Sequence, residues 1–352
     1  MSGNVKRIYS SNSIRQHDVS EETMRKKILS TFVLGSTILG STLTTAQPLV
    51  AAELAKQNPV LIAARRSSRK KPAPRKTSPA AKPWHAGLDI PYKSWLPKNR
   101  PHRVLLCVHG LGFSSKSFER FGRFMAARGI AVYAIDVRGF GSWRRNPETS
   151  EVDFEACITD LENALKLLRS KIPGTKIYIV GESMGGAISL AVTSRYPDLV
   201  DGLISSVPSG ERYGDLKEKI VVGAHYIEDK DKPIDLSSEV IEKATSDEDL
   251  QNQLKSDPNI KMDLTPEELK QFNAFMRSNK DNAALIEKTP VLMMAGFEDR
   301  LVKPKGTIEL FNDITCPEKI LVVVGDGEHL LLEESELTRE NGALIYNWLV
   351  NH

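Results

Sequence analysis

From about residue 88 onward the chain alternates short apolar runs with longer stretches whose apolar residues recur every three or four positions. Arg103–His109 (RVLLCVH) and Ile130–Asp136 (IAVYAID) are continuous apolar runs, the pattern of strands buried on both faces. Lys176–Gly181 (KIYIVG), Val200–Ser206, Val291–Gly296 (VLMMAG) and Lys319–Val324 (KILVVV) also read as strands. Between them, Ser117–Arg128 is an amphipathic helix, and 154–169 places Ile158, Leu161, Leu165 and Leu168 at helical spacing. Met184–Arg195 and Thr338–Val350 complete the helices. Strands separated by helices of 10–15 residues predict an α/β domain: a mostly parallel sheet, flanked by helices and joined by right-handed crossovers. No internal repeat is present.

One interval breaks the alternation. Between Ser206 and Thr289 the chain is charged, mainly helical and poor in strand signal. Thr265-Pro266-Glu267-Glu268 reads as a helix start, with Thr265 as cap and Pro266 in the first turn. A helical insertion between sheet strands, about 209–288, is expected to form a cap over the carboxyl edge of the sheet, where ligands of open α/β sheets bind.

The first 83 residues differ in kind. They hold 15 Lys and Arg against 4 Asp and Glu, leaving +11 there and −8 over the remainder, so the net +3 describes neither part. Residues 1–23 are a polar extension. Arg25-Lys26-Lys27 then precedes an uncharged run from Ile28 to Ala52 that ends in small residues. A charged start, an apolar centre and a small-residue end describe a secretory signal over 24–52, with Met24 as an alternative start. A retained membrane anchor and a Ser/Thr-rich soluble tail are the competing readings, since nine of the 25 residues are Ser, Thr or Gln. Export or membrane association is the expected localisation. The next segment, 53–83, is a linker whose last 21 residues are all Lys, Arg, Pro, Ala, Ser or Thr, too polar to bury a core. It could contact a membrane or another anionic surface. It has no interleaved aromatics, so nucleic acid is not an expected partner.

Chemistry enters at Gly181-Glu182-Ser183-Met184-Gly185-Gly186. A G-x-S-x-G pattern is weak alone, but here it leaves a strand and opens a helix, the setting of a nucleophile elbow. Gly181 and Gly185 keep bulk away from a strained turn that lifts the Ser183 hydroxyl over the sheet edge. Serine needs a base, and in this arrangement the partners follow in the order serine, acid, histidine. Of the later histidines, His225 lies in the cap before the acid and His352 ends the chain and should fray. His329 follows the last strand in a Gly-rich turn. The acid should follow VLMMAG, where Asp299 is favoured over Glu298, a solvated turn residue. The oxyanion donors should be the amides of Met184 and of Leu111, the latter in the loop His109-Gly110-Leu111-Gly112, where Gly110 and Gly112 permit close approach. His109 reads as structural. Cys107, Cys157 and Cys316 read as idle thiols. His225 and Glu228 form a lone HxxE that no second histidine completes, and no phosphate loop occurs, so no metal or cofactor is expected.

With these pieces in hand, residues 103–352 resemble the α/β-hydrolase superfamily, and within it the monoacylglycerol lipase and lysophospholipase branch grouped with the serine aminopeptidases. The resemblance is carried by HGLG at 109–112, DVRGFGSW at 136–143, GESMGG at 181–186, SDPNI at 256–260, GFEDRLV at 296–302 and GEHLLL at 327–332. It implies an α/β-hydrolase fold with a helical cap insertion over 84–352, Ser183, Asp299 and His329 as triad, and Leu111 and Met184 as oxyanion donors. It also implies an apolar acyl tunnel under the cap and a small-molecule acyl ester, such as a monoacylglycerol or a lysophospholipid, as substrate. Two alternatives stand beside it: an aminopeptidase of the proline iminopeptidase type, and a catalytically inactive hydrolase fold used for binding.

Overall fold

The computed structural model describes residues 88–145, 149–208, 210–213, 229, 231–260 and 262–352. The leader and the His225/Glu228 pair lie outside the described residues. Among those described, no helix is long and apolar enough to cross a membrane.

Seven strands form one sheet: β1 (Tyr92–Trp95), β2 (Arg103–Val108), β3 (Ile130–Ile135), β4 (Lys176–Glu182), β5 (Gly202–Ser206), β6 (Val291–Gly296) and β7 (Lys319–Val324). Their spatial order is β1-β3-β2-β4-β5-β6-β7. All neighbours are parallel except β1, which lies antiparallel to β3 with Tyr92 opposite Ile135. Every apolar run singled out in the sequence is one of these strands. β1 is the exception: its sequence, YKSW, is short and half-exposed and carries no apolar run to signal it.

The crossovers use α1 (Glu119–Ala126), α2 (Phe154–Lys171), α3 (Met184–Arg195) and α8 (Pro304–Asp313), and α9 (Arg339–Asn351) closes the chain. The first helix begins later than its apolar spacing predicts. Ser115–Phe118 form a 3₁₀ turn under a Ser114 cap, and only then does α1 begin. The start of α2 follows from Asp153, whose carboxylate accepts from the Ala156 amide at 2.9 Å.

Alternation along each strand divides the core into two layers. Val104, Leu106 and Val108 of β2 face α2 and α3 in one apolar cluster, with Ile158, Leu161 and Ile188. Leu105 and Cys107 face the other side, with Phe121 and Met125 of α1 and Trp348 of α9. A strand covered on both faces needs apolar residues at every position, which is why the inner strands read as continuous runs; β7, at the sheet edge, is an apolar run whose Ile320 and Val323 are exposed.

The interval between β5 and β6 contains α4 (Ser237–Ala244), α5 (Glu248–Ser256), α6 (Pro266–Arg277) and α7 (Asn279–Ala284), plus the two-residue strands Ile234–Asp235 and Asp263–Leu264, which pair with each other. The start of α6 is a full capping box: Thr265 Oγ1 accepts from the Glu268 amide, and Glu268 Oε2 accepts from the Thr265 amide. Helices α4 and α5 build a small apolar cluster from Ile241, Leu250 and Leu254, and it closes on Phe113 and Leu330 of the body. Phe113 follows the candidate loop at 109–112, and Leu330 lies within that at 327–332. The insertion thus meets the sheet where its carboxyl edge opens.

Candidate functional site

The loops at the carboxyl ends of β2, β4, β6 and β7 carry the site. β4 and β2 are adjacent, with Gly181 opposite Val108. The turn after β4 and the loop after β2 are therefore side by side by sheet order alone.

Ser183 has φ 55 and ψ −118, a conformation that L-residues seldom adopt. The turn is held by its backbone: the Ser183 amide donates to the Ser206 carbonyl at 2.8 Å, and the Ala187 amide donates to the Ser183 carbonyl at 3.0 Å. The flanking glycines are required for space. A Cβ at Gly181 would lie 2.1 Å from the Gly185 carbonyl oxygen, and one at Gly185 would lie 2.0 Å from that of Val108. In the neighbouring loop the two glycines differ. Gly112 has φ 84, while a Cβ at Gly110 would meet nothing closer than 3.4 Å, so sterics do not demand glycine at 110.

Asp299 and His329 come together from the loops after β6 and β7. His329 Nδ1 donates to Asp299 Oδ2 at 2.8 Å, with both side chains buried. The other carboxylate oxygen, Oδ1, accepts from the Leu301 and Val302 amides, each at 2.8 Å. Glu298, beside it, is exposed. Burial pushes the His329 imidazole down, but the charge and hydrogen bond of Asp299 outweigh it and leave the group above its ordinary value.

Ser183 and His329 line one pocket with Leu111, Phe113, Phe272, Met276, Leu301 and Val302. Its wall is apolar apart from Ser183, His329 and Arg212. Among the described residues the amides of Leu111 and Met184 donate to no backbone carbonyl. His109 is locked away from this chemistry. Its Nδ1 donates to the Gly110 carbonyl at 2.8 Å, and its Nε2 accepts from the Val137 amide at 2.9 Å. Burial lowers its pKa, in keeping with a neutral, structural imidazole. His352 does not fray: it stacks on Trp348 with ring centroids 4.5 Å apart, and Nδ1 bonds the Trp348 carbonyl.

Three site residues were missed in the sequence. Arg212 bonds Asn273, places its guanidinium over Phe272 and lines the pocket. Glu182 and Glu333 are wholly buried behind the loops. Glu182 sits at the variable position of G-x-S-x-G, where no residue type is prescribed, and Glu333 and Arg212 belong to no short motif. Their signal is tertiary.

Comparison with known proteins follows this geometry. The family described as serine aminopeptidase, S33, matches residues 99–336, more than half of the chain. A monoacylglycerol lipase of Mycolicibacterium smegmatis is 22% identical over 269 residues, covering 76% of this chain and 94% of that one. The crystal structure of a monoacylglycerol lipase from Paleococcus ferrophilus superposes with a TM-score of 0.64 at 20% identity, covering 75% of this chain and 100% of the other. A soluble variant of monoglyceride lipase from Saccharomyces cerevisiae, in complex with a substrate analogue, gives 0.62 at 21% identity, covering 74% and 89%. The chain belongs to the serine aminopeptidase S33 family and has the α/β-hydrolase fold.

Proposed function

We propose that the protein is a serine hydrolase that cleaves carboxylic acyl esters, of the monoacylglycerol or lysophospholipid kind, through an acyl-enzyme. The observation that carries this reading is the buried Asp299–His329 hydrogen bond, which presents His329 to the same apolar pocket as Ser183. With Nδ1 donating to Asp299, the imidazole carries its free lone pair on Nε2 and can take a proton there. Ser183 Oγ attacks the ester carbonyl carbon as its proton passes to His329. The carbonyl oxygen, now an anion, accepts from the Leu111 and Met184 amides. His329 returns the proton to the departing alkoxide, leaving Ser183 acylated. Water then repeats the sequence, with His329 as base, and releases the carboxylic acid. The relatives that are monoacylglycerol lipases support an ester substrate.

The family's aminopeptidase description gives the second reading its basis. A peptidase that takes free N-termini needs an anion for the substrate ammonium. Among the described residues lining the pocket there is no carboxylate, and Arg212 is cationic, which favours the ester. The basic leader supports delivery of such an enzyme to or across a membrane.

Labelling with a fluorophosphonate tests the mechanism: the wild type should label and Ser183→Ala should not. Equal labelling, or an unlabelled wild type, overturns the reading. Turnover of p-nitrophenyl esters but not aminoacyl-nitroanilides separates esterase from peptidase. A wild type silent toward every probe would leave the inactive binding fold.

A further inference from the structure

The hydrolytic steps make no use of two glutamates buried behind the site. Glu182 ends β4, one residue before Ser183. Its Oε1 accepts from the Ser206 hydroxyl at 2.9 Å, the Leu331 amide at 2.8 Å and the Leu332 amide at 3.1 Å. Its Oε2 accepts from the Glu333 amide at 3.0 Å. Three consecutive amides of the loop that bears His329 thus converge on one carboxylate. Glu333 extends the chain of contacts, because its Oε1 accepts from the Gly110 amide at 2.7 Å, next to Leu111. One line of hydrogen bonds therefore joins the serine turn, the histidine loop and the oxyanion loop.

Both carboxyl groups are wholly buried and joined through the Glu333 amide, and like charges in a dry interior disfavour ionisation of both. The anion settles where donors gather, and four gather on Glu182. Burial and the nearby Glu182 charge push Glu333 well above the usual carboxylate range. Burial also raises Glu182, and the Leu331 and Glu333 amides, His329 and the Ser206 hydroxyl offset that only in part.

Given the serine-hydrolase reading, we propose that Glu182 is a positioning residue: its carboxylate clamps the amides of 331–333 to set His329 against the Ser183 turn, while the Glu333 side chain ties that loop to the Gly110 amide. The charged groups acting on His329 are Asp299, Glu182 and Arg212. Those acting on Glu333 are Glu182 and Glu334. The Glu182 anion favours the imidazolium form of His329, which gives the proposal a signature that a purely structural residue lacks.

The test is the titration of His329 followed by NMR on the full-length protein. Glu182→Gln should lower its midpoint by about 1 pH unit and lower kcat on the order of 10² with KM nearly unchanged. Glu333→Gln, which replaces a neutral acid by a neutral amide, should leave the midpoint where it is. Infrared difference spectra, wild type minus Glu333→Gln, should contain a carboxylic-acid C=O stretch at neutral pH. An unmoved midpoint in Glu182→Gln, a lowered one in Glu333→Gln, or the absence of that stretch overturns the proposal. If Glu182→Gln does not fold, the two Glu333→Gln readouts decide. A wild type that labels with no fluorophosphonate would sink the hydrolase reading alone, and the titration and the infrared band would still be measurable.

Discussion

His329 Nδ1 and Asp299 Oδ2 are 2.8 Å apart, and Asp299 commits its other oxygen to the Leu301 and Val302 amides. The carboxylate is thereby fixed at both ends, and only Oδ2 is left for the imidazole. Asp299→Asn turns this into a tautomer switch. The amide oxygen must stay on the two backbone donors, so its NH₂ faces His329 and forces Nδ1 to accept. Nε2 then carries the hydrogen and cannot receive one from Ser183. Ester turnover should fall about 10⁴-fold, with KM little changed and the fold intact by circular dichroism. A loss of less than tenfold would remove Asp299 from its assigned role.

The same pair sets the pH dependence. Burial lowers the His329 pKa, the Asp299 charge and hydrogen bond raise it, and the net direction is upward. A base must be neutral to act, so kcat/KM should fall as the pH drops through the raised pKa, with its half-point above about 6.5. Stability has the opposite sign. A folded-state pKa above the unfolded one contributes stability that is complete below about pH 6.5 and is lost as pH rises through the folded value. Activity should therefore appear over the pH interval in which His329 gives up its share of stability. A half-point clearly below 6.5 in the pH–rate profile would contradict this account.

Fold class was legible in the sequence because a sheet buried on both faces writes itself as unbroken apolar runs, as RVLLCV and VLMMAG do. Strand-to-helix context and chain order restrict the candidate serine and histidine to few residues, and the structure brings the chosen Ser183 and His329 to one pocket. Asp299, preferred to Glu298 for its reach beyond the turn, is the one of the two that bonds His329. What escaped depends on contacts between distant segments. β1 joins the sheet only because β3 offers it an edge. Glu182 and Glu333 look like surface acids until folding brings the amides of 331–333 and Gly110 to them. Gly110, read as a close-approach glycine, has room for a Cβ.

Backbone strain at Ser183 makes a prediction about stability without chemistry. At φ 55 and ψ −118 any Cβ is unfavourable, and such residues cost on the order of 1–3 kcal/mol. Glycine removes that cost but gives back about 0.5–1 kcal/mol through the greater freedom of its unfolded chain. Both Ser183→Gly and Ser183→Ala should be inactive, yet the glycine variant should be more stable by about 1 kcal/mol, or about 2–4 °C in melting temperature. Differential scanning calorimetry of the two compares strain alone. Equal melting would hold the strain to about 1 kcal/mol or less, and a less stable glycine variant would mean that the turn is not strained.

Close packing of backbone against backbone predicts the opposite outcome at Gly185. A methyl group there would lie 2.0 Å from the Val108 carbonyl oxygen and 2.7 Å from that of His109. Neither acceptor can rotate away, because Val108 is paired in the sheet with both β3 and β4. The start of α3 would have to move off β2, and Ser183 with it. Gly185→Ala should cost about 2–3 kcal/mol, and whatever protein accumulates should be impaired in kcat. Gly325→Ala provides the matched comparison: it adds the same methyl group at an exposed glycine with nothing within 4 Å, and it should change stability by no more than about 0.5 kcal/mol. Chemical denaturation of the two variants measures the difference. If Gly185→Ala unfolds at the same denaturant concentration as Gly325→Ala, the contact between the serine turn and β2 is not the constraint that fixes glycine at this position.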